Sequence, residues 1–485
     1  MKNKRLIKTI TYLFLAALCA SQLTGCRING ESARDIRERL NRELSAVSQE
    51  TDMQILTEAA GGALEAAGDV MAAALTQAVP DASGAVSDAV TGGPAEAAPE
   101  GMAEQAGTSG DEAAADPAEA AGEEPPASVD IIMVGDILLH KRVTNAAFND
   151  QTGEYDFNPV FVHAKNRISA ADVAIVNQEV IIGGEELGIS GYPTFNAPYA
   201  IGDALADAGF DVVCHATNHA LDRNRQGLLN CLGFWREKHP EMLVTGIYDN
   251  AENALPENLS VIERNGIKIA VLNYTYGTNG INPPSDMPFA VSMLNEERVI
   301  TQLDLAEQEV DFTIVCPHWG IEYNLGISAE QEKWAGLFRE HGADAVIGTH
   351  PHVIEPVVFY EDDDPVITNN HGNGDMPVFY SLGNFVNATQ TSQSGVARRM
   401  VGGMAKLTVS RKENGEVSLD DYRVFDYVCH IQRGFGNLTV YPLEEYTEEL
   451  AAENLIRGQD PAFSKEYCEK LCAEVYGDIP GRQER

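Results

Sequence analysis

Six residues of this chain have the types and spacing of metal ligands. His350 and His352 are separated by one proline, His318 precedes Trp319-Gly320, and Asn218 stands beside His219, with Asp222 three residues further on. Two carboxylates, Asp136 and Glu179, complete the set, in the runs Val134-Gly135-Asp136 and Asn177-Gln178-Glu179. Imidazole mixed with carboxylate and amide oxygen suits Zn, Mn, Fe or a similar divalent ion. Such a set is large enough for two ions ~4 Å apart, which clamp a transferring group and activate a water. A pair of ions needs a bridging carboxylate, for which Glu179 is the candidate. Taken singly, the residues say little. A His near a strand is more often a satisfied polar residue, an Asp can cap a helix, and an Asn can fill a turn. The set together is what points to a metal site.

The elements around these residues must bring them together. "VDIIMVGDILLH" is a short apolar, β-branched run that reads as a buried parallel strand, with Gly135-Asp136 at its C-terminal end. The same unit, an apolar strand followed by polar residues, recurs in "ADVAIVNQEV", "GFDVVCHATNHALD", "IKIAVLNYTYG", "VDFTIVCPHWGIEY", "ADAVIGTHPHV" and "MPVFYSLGNFV". Helical patterns lie between several of them, in "APYAIGDALADAG", "NRQGLLNCLGFWREKH" and "SAEQEKWAGLFREHG". Strand–helix alternation predicts an α/β fold with a largely parallel sheet. Ligands of such folds collect outside the carboxyl ends of the strands, where every polar cluster named above falls.

From about residue 129 to 390 the chain resembles the poly-γ-glutamate capsule-synthesis (CapA-type) family of the calcineurin-like metallophosphoesterase superfamily. The resemblance rests on "VGDIL" at 134–138, "NQE" at 177–179, "TNHALD" at 217–222, "HWGIEY" at 318–323, "GTHPHV" at 348–353 and "YSLGNFV" at 380–386. It implies a four-layer α/β/β/α sandwich with two divalent metals between strand ends. It also implies roles: Asp136 and His352 on the first metal, Glu179 bridging, and Asn218, His318 and His350 on the second. His219, oriented by Asp222, would protonate the leaving group or stabilise the transition state. The chain departs from the superfamily twice. Where phosphoesterases carry Asp-x-His, this sequence has Leu138, and the nearest imidazole is His140; the bridging residue is Glu179 rather than Asp. In a strictly alternating strand His140 shares a face with Asp136, from farther along. It is therefore a candidate ligand or supporting residue.

Further candidates surround this set. Glu322, Tyr323, Ser381 and Asn384 are candidates for substrate contact; Gly383 and Asn384 serve equally well as a tight turn with its cap. Arg223 and Arg225 are candidate anion binders, although solvated surface charge is the commoner role of such residues. His215 reads as a core or supporting His. Cys214 and Cys316 lie in apolar strand runs and read as buried thiols. A bridge among Cys429, Cys468 and Cys472 is compatible with the sequence.

Outside this region the chain changes character. It has 485 residues and a formal net charge of −39, which argues against a nucleic-acid partner. No Lys or Arg occurs between Arg42 and Lys141, and 17 Asp and Glu fall within 43–128. Residues 80–128, rich in Ala, Glu, Gly and Pro, read as a disordered acidic linker, since they offer too little apolar surface to offset ordering entropy. Residues 1–25 have the form of a secretory signal peptide, and Leu23-Thr24-Gly25-Cys26 the form of a bacterial lipobox, with Cys26 the lipidation site. Residues 26–79 are then expected to be a helical stalk and 129–440 the metallophosphoesterase-like domain. Antiparallel strands around Asn414-Gly415 are expected to complete the second sheet, with a helical tail at 441–485.

The expected protein is lipid-anchored on the outer face of a bacterial membrane. It is a divalent-metal-dependent hydrolase or transferase in capsule or poly-γ-glutamate metabolism, working with the capsule-synthesis machinery on an anionic polymer or phosphoester. Two alternatives stay open: a non-catalytic, polymer-binding accessory lipoprotein, and a secreted phosphoesterase or nucleotidase.

Overall fold

The computed structural model describes residues 127–361, 375–389, 395–432, 437–477 and 479, and, near the N-terminus, 27–28 and 31–32. The expected signal peptide at 1–25, Cys26 and the linker at 80–128, apart from its last two residues, lie outside the described residues. Of the expected stalk, Arg27–Ile28 and Glu31–Ser32 are described; they pair as short antiparallel strands. No helix among the described residues is long and apolar enough to cross a membrane.

From residue 128 onward the chain forms two large sheets. The strands are β1 Ser128–Ile137, β2 Val173–Asn177, β3 Val212–Cys214, β4 Leu243–Thr245, β5 Val261–Arg264, β6 Ile267–Thr275, β7 Phe312–His318, β8 Ala345–Ile347, β9 Val357–Tyr360, β10 Met376–Phe379, β11 Asn384–Val386, β12 Val401–Arg411, β13 Val417–Ile431 and β14 Leu438–Pro442. The first sheet runs β14-β13-β12-β1-β2-β3-β4, with β11 also paired to β1; the second runs β9-β10-β8-β7-β6-β5. Strands β1 to β4 are mutually parallel, as are β6, β7, β8 and β10. The strand–helix units of the sequence are therefore split between two sheets. The C-terminal strands do not complete the second sheet. They extend the first, because β12 pairs antiparallel with β1 from Met404↔Val134 to Ser410↔Ser128.

Side-chain alternation sets the layers. In β6 and β7, Ile269, Val271, Ile314 and Cys316 share one core with the first sheet; Cys316 Sγ lies 3.6 Å from Met133 Sδ. Their neighbours Ala270, Leu272, Tyr274 and Val315 face the other way. They pack on Val299, Leu303, Trp334 and Phe338, from helices Glu296–Glu309 and Ala329–Glu340. Helices Ala200–Ala208 and Asn224–Lys238 join the first sheet's core through Ile201, Leu205, Leu228 and Trp235. The order is helix, sheet, sheet, helix, the four-layer α/β/β/α arrangement. Helices Glu448–Glu453 and Lys465–Tyr476 close the chain, the latter burying Cys468, Leu471 and Cys472. Cys429 is a free thiol; its Sγ donates to Asn387 O at 3.0 Å and forms no bridge.

The end of β1 is irregular where the chemistry begins. The β1–β2 register passes from Val134↔Val176 to Asp136↔Asn177, so Gly135 is an extra residue, a β-bulge. The bulge lets the β1 backbone close on the Gly383 turn, where Asp136 N donates to Gly383 O at 2.9 Å. A Cβ at position 135 would lie 2.0 Å from that same oxygen. Gly135→Ala should therefore lower unfolding free energy by about 1–3 kcal/mol in urea denaturation. Gly233→Ala, in a helix interior with nothing within 4 Å of the added methyl, should be neutral or gain about 0.5–1 kcal/mol. Equal stabilities for the two variants would refute the close-approach account.

Candidate metal centre

Each candidate ligand sits at or just past a strand end. Asp136 ends the bulged part of β1 and is fully buried. Its Oδ1 accepts from Asn177 Nδ2 at 2.8 Å, and its Oδ2 lies 3.0 Å from His352 Nδ1. The His350 N–H also points at this carboxylate, at 3.3 Å and 3.4 Å from its two oxygens. Glu179 follows β2, and its carbonyl accepts from Thr217 Oγ1 at 2.7 Å, which ties it to the Asn218-His219 loop. His318 is the last residue of β7; its Nδ1 meets Thr349 Oγ1 at 3.1 Å and its Nε2 meets Asn218 Oδ1 at 3.0 Å.

The His350-Pro351-His352 loop after β8 holds two non-glycine residues in left-handed backbone, with φ of 100° and 58°. Such conformations cost about 1–3 kcal/mol each and persist where surrounding contacts over-determine them. Here those contacts are the Asp136 carboxylate and the Asn384 amide, whose Nδ2 donates to His352 O at 2.9 Å.

Two buried groups result. Glu179, His318 and His350 form one, and Asp136, Glu179 and His352 the other; within each, the donor atoms lie within 4.8 Å of one another. Glu179 is common to both, as a bridging residue must be. An ion with ligand bonds of ~2.0–2.2 Å holds its donors roughly 3–4 Å apart. Glu179 Oε1 lies 3.5 Å from His352 Nε2, 3.9 Å from His318 Nε2 and 4.0 Å from His219 Nε2. Both carboxylate oxygens of Glu179 and the Nδ1 of His350 are buried without any hydrogen-bond partner. Buried polar atoms are normally paired, so these three orphaned acceptors fit a cation.

The electrostatics agree with that fit. Burial pushes Glu179 well above the ordinary carboxylate range, with His352 opposing and Asp136 adding to the rise. Burial and the neighbouring imidazoles hold His318 and His350 well below the usual range, hence neutral and able to donate a lone pair. Burial also acts to lower His352, but the Glu179 and Asp136 charges outweigh it and raise it to about 9.

His219 stands at the edge of both groups. Its Nδ1 is 2.7 Å from Asp222 Oδ2, an oxygen that also accepts from Phe195 N at 2.6 Å. Asp222 thus fixes the ring with Nε2 toward Glu179. Asn218 lies beside the second group through His318.

Other candidates resolve differently. β1 ends at Ile137, so alternation stops before His140. That residue instead precedes helix Lys141–Ala147 and packs edge-on to Phe195 at 5.4 Å between centroids. It belongs to neither ligand group, and burial with the His352 and His219 charges lowers it to about 3. His215 accepts from Trp235 Nε1 at 2.9 Å and is a core His. Ser381 and Asn384 are buried and engaged with backbone: Ser381 Oγ donates to Val353 O at 2.8 Å and accepts from Gly383 N at 3.1 Å. Through these bonds they hold the His352 loop. Arg223 clamps the 190–194 loop, bonding Ser190 Oγ and Thr194 O, and Arg225 pairs with Asp286 at 2.8 Å on the surface. Glu322 is exposed nearby, and the Tyr323 ring centroid is 5.9 Å from that of His352.

Three neighbours carried no individual sequence signal. The Tyr276 ring lies tilted against that of His350, 4.6 Å between centroids, and Asn279 Nδ2 lies 3.4 Å from His219 Nδ1. Both follow β6, so the strand-end rule alone could have found them. Arg399 lies beyond every quoted motif.

Residues 130–389 match the family described as "Bacterial capsule synthesis protein PGA_cap". The "PGA biosynthesis protein CapA" of Bacillus subtilis is 32% identical over 183 residues, 38% of this chain and 44% of that protein. The "Capsule biosynthesis protein CapA" of Bacillus anthracis is 26% identical over 264 residues, 52% of this chain and 58% of that one. The chain thus spans about half the length of these curated relatives. Among solved structures, the NAD nucleotidase of Haemophilus influenzae superposes with a TM-score of 0.38 at 13% identity, covering 72% of this chain and 67% of that one.

The raised His352 and Glu179 imply that an incoming cation competes with protons. Below about pH 9 His352 is protonated, so metal affinity should rise toward that pH, by roughly tenfold per unit for each proton displaced. Adding Mn²⁺ or Zn²⁺ to metal-free protein at pH 7 should release about one proton or more per chain, read with a pH indicator. A pH-independent affinity would contradict this assignment.

Proposed function

The chain belongs to the bacterial capsule synthesis protein family, and from that membership we propose that it is a divalent-metal-dependent hydrolase or transferase of capsule or poly-γ-glutamate polymer metabolism. The observation that carries the reading is Glu179, a fully buried carboxylate without a hydrogen-bond partner, shared by two groups of potential ligands. Asp136, Glu179 and His352 would hold one ion, and Glu179, His318, His350 and the Asn218 amide oxygen the other. Bound there, such ions supply Lewis-acid polarisation of an ester or amide oxygen and an activated water.

The remaining steps fall to side chains. Asp222 accepts from His219 Nδ1–H and so sets the ring with Nε2 facing the cleft. A proton held at Nε2 can pass to a leaving group, the part of a general acid. Tyr276 and Tyr323 flank the His350 and His352 rings and restrict how a substrate enters.

The lipobox form of residues 23–26 and the acidic, Pro- and Ala-rich run before residue 128 support a lipid-anchored location on the outer face of the cell membrane. The domain would then work beside the capsule-synthesis machinery on an anionic polymer or phosphoester. A second reading, a polymer-binding accessory protein without turnover, is favoured by Leu138, buried where the superfamily places an imidazole.

Metal analysis separates the two. The full-length chain should hold about two Mn, Zn or Fe ions. His219→Ala should keep them while slowing cleavage of poly-γ-glutamate or p-nitrophenyl phosphate by about 10²–10⁴-fold. Fewer than one ion per chain would leave only the accessory reading.

A further inference from the structure

We propose that Arg399 is the anion-binding residue of this centre, taking a carboxylate or phosphate oxyanion of the substrate; the proposal rests on the reading of the site given above. Arg399 lies in the short helix Val396–Met400, beyond the last motif. Its guanidinium carbon sits 3.4 Å from the centre of the Tyr323 ring, whose other neighbour is His352.

Its backbone is fixed to the same loop. The Asn384 Nδ2 donates both to His352 O at 2.9 Å and to Arg399 O at 3.0 Å, and Asn387 Nδ2 adds a bond to Arg399 O at 3.2 Å. One amide therefore sets the spacing between a potential metal ligand and this arginine.

The side chain is half-buried, and its Nε lacks any acceptor. Among the described residues no carboxylate forms an ion pair with it, and the Glu322 charge acts on it only from a distance. A guanidinium desolvated on one face, stacked on an aromatic ring and without a paired carboxylate among the described residues is suited to recognising an anion. Its planar fork suits bidentate contact with carboxylate or phosphate. It also answers an electrostatic difficulty. The chain carries a net charge of −39, so an anionic polymer needs a local cation to approach.

The test is calorimetric titration of the full-length chain, metal-loaded and EDTA-stripped, with inorganic phosphate and with a γ-linked glutamate trimer. Arg399→Gln should weaken binding by about 10–100-fold. Bound-metal count and melting temperature should stay as in the unsubstituted chain. Arg399→Lys, which keeps the charge but not the fork, should recover part of the loss. A loss confined to the trimer assigns a carboxylate, and one confined to phosphate assigns a phosphoester. Unchanged affinity in Arg399→Gln, or no binding of either probe by the unsubstituted chain, overturns the proposal. So does a reduced metal count in Arg399→Gln, which would make the residue a support of the metal centre. A chain that binds no metal overturns the proposed function instead, and the stripped titrations still decide on Arg399.

Discussion

A fully buried carboxylate with no hydrogen-bond donor is what the rest of this site is arranged around. Transferring such a group from water without a partner costs several kcal/mol, more if it is ionised. Glu179 nonetheless occupies this position, with imidazole nitrogens of His352, His318 and His219 between 3.5 Å and 4.0 Å away, beyond hydrogen-bond reach. Burial pushes the Glu179 carboxyl well above its ordinary range, and the nearby His352 opposes that rise. Asp136 is the contrast. It is equally buried but satisfied by Asn177, His352 and the His350 amide. Both carboxylates belong to a ligand group, but only Glu179 is without a hydrogen-bond partner, and it is shared by both groups.

Holding that arrangement takes backbone that the sheets alone would not supply. The Gly135 bulge sets Asp136 against the Gly383 turn, and the two left-handed histidines place the His352 ring against Asp136 and Glu179 and the His350 ring in the group of Glu179 and His318. The strain is offset by contacts with no direct part in the chemistry: Thr349 on His318, Ser381 on the Val353 carbonyl, and Asn384 on His352. Ser381 and Asn384 thus act through the loop they hold. Residues that look chemical in a sequence can be structural because backbone carbonyls are the nearest unsatisfied groups.

The same logic separates the arginines. Arg223 stands in the Asn-His motif, yet its guanidinium is taken up by Ser190 and by the Thr194 carbonyl. Arg399 stands outside every motif, beside Tyr323, and among the described residues forms no ion pair with a carboxylate. Proximity in sequence to a ligand does not decide which arginine is free of partners, since acceptors are met in three dimensions.

The sequence by itself determined the α/β class, the strand ends at which chemistry collects, and the six potential ligands, because β-branched runs and the polar residues after them are local features. It also carried the acidity and lipobox form of the N-terminal region, which are compositional. What it left open is what depends on contact between distant segments. The parallel strands divide between two sheets, and the C-terminal strands join the first, because β12 pairs with β1 across some 270 residues of chain. His140 falls off the strand face because β1 stops at Ile137, where Leu138 and Leu139 turn into the core. Only the folded chain gathers Asp136, Glu179 and the three histidines into two adjoining groups that share Glu179. A ligand's type is written in one residue, whereas its partner is chosen by how two sheets pack.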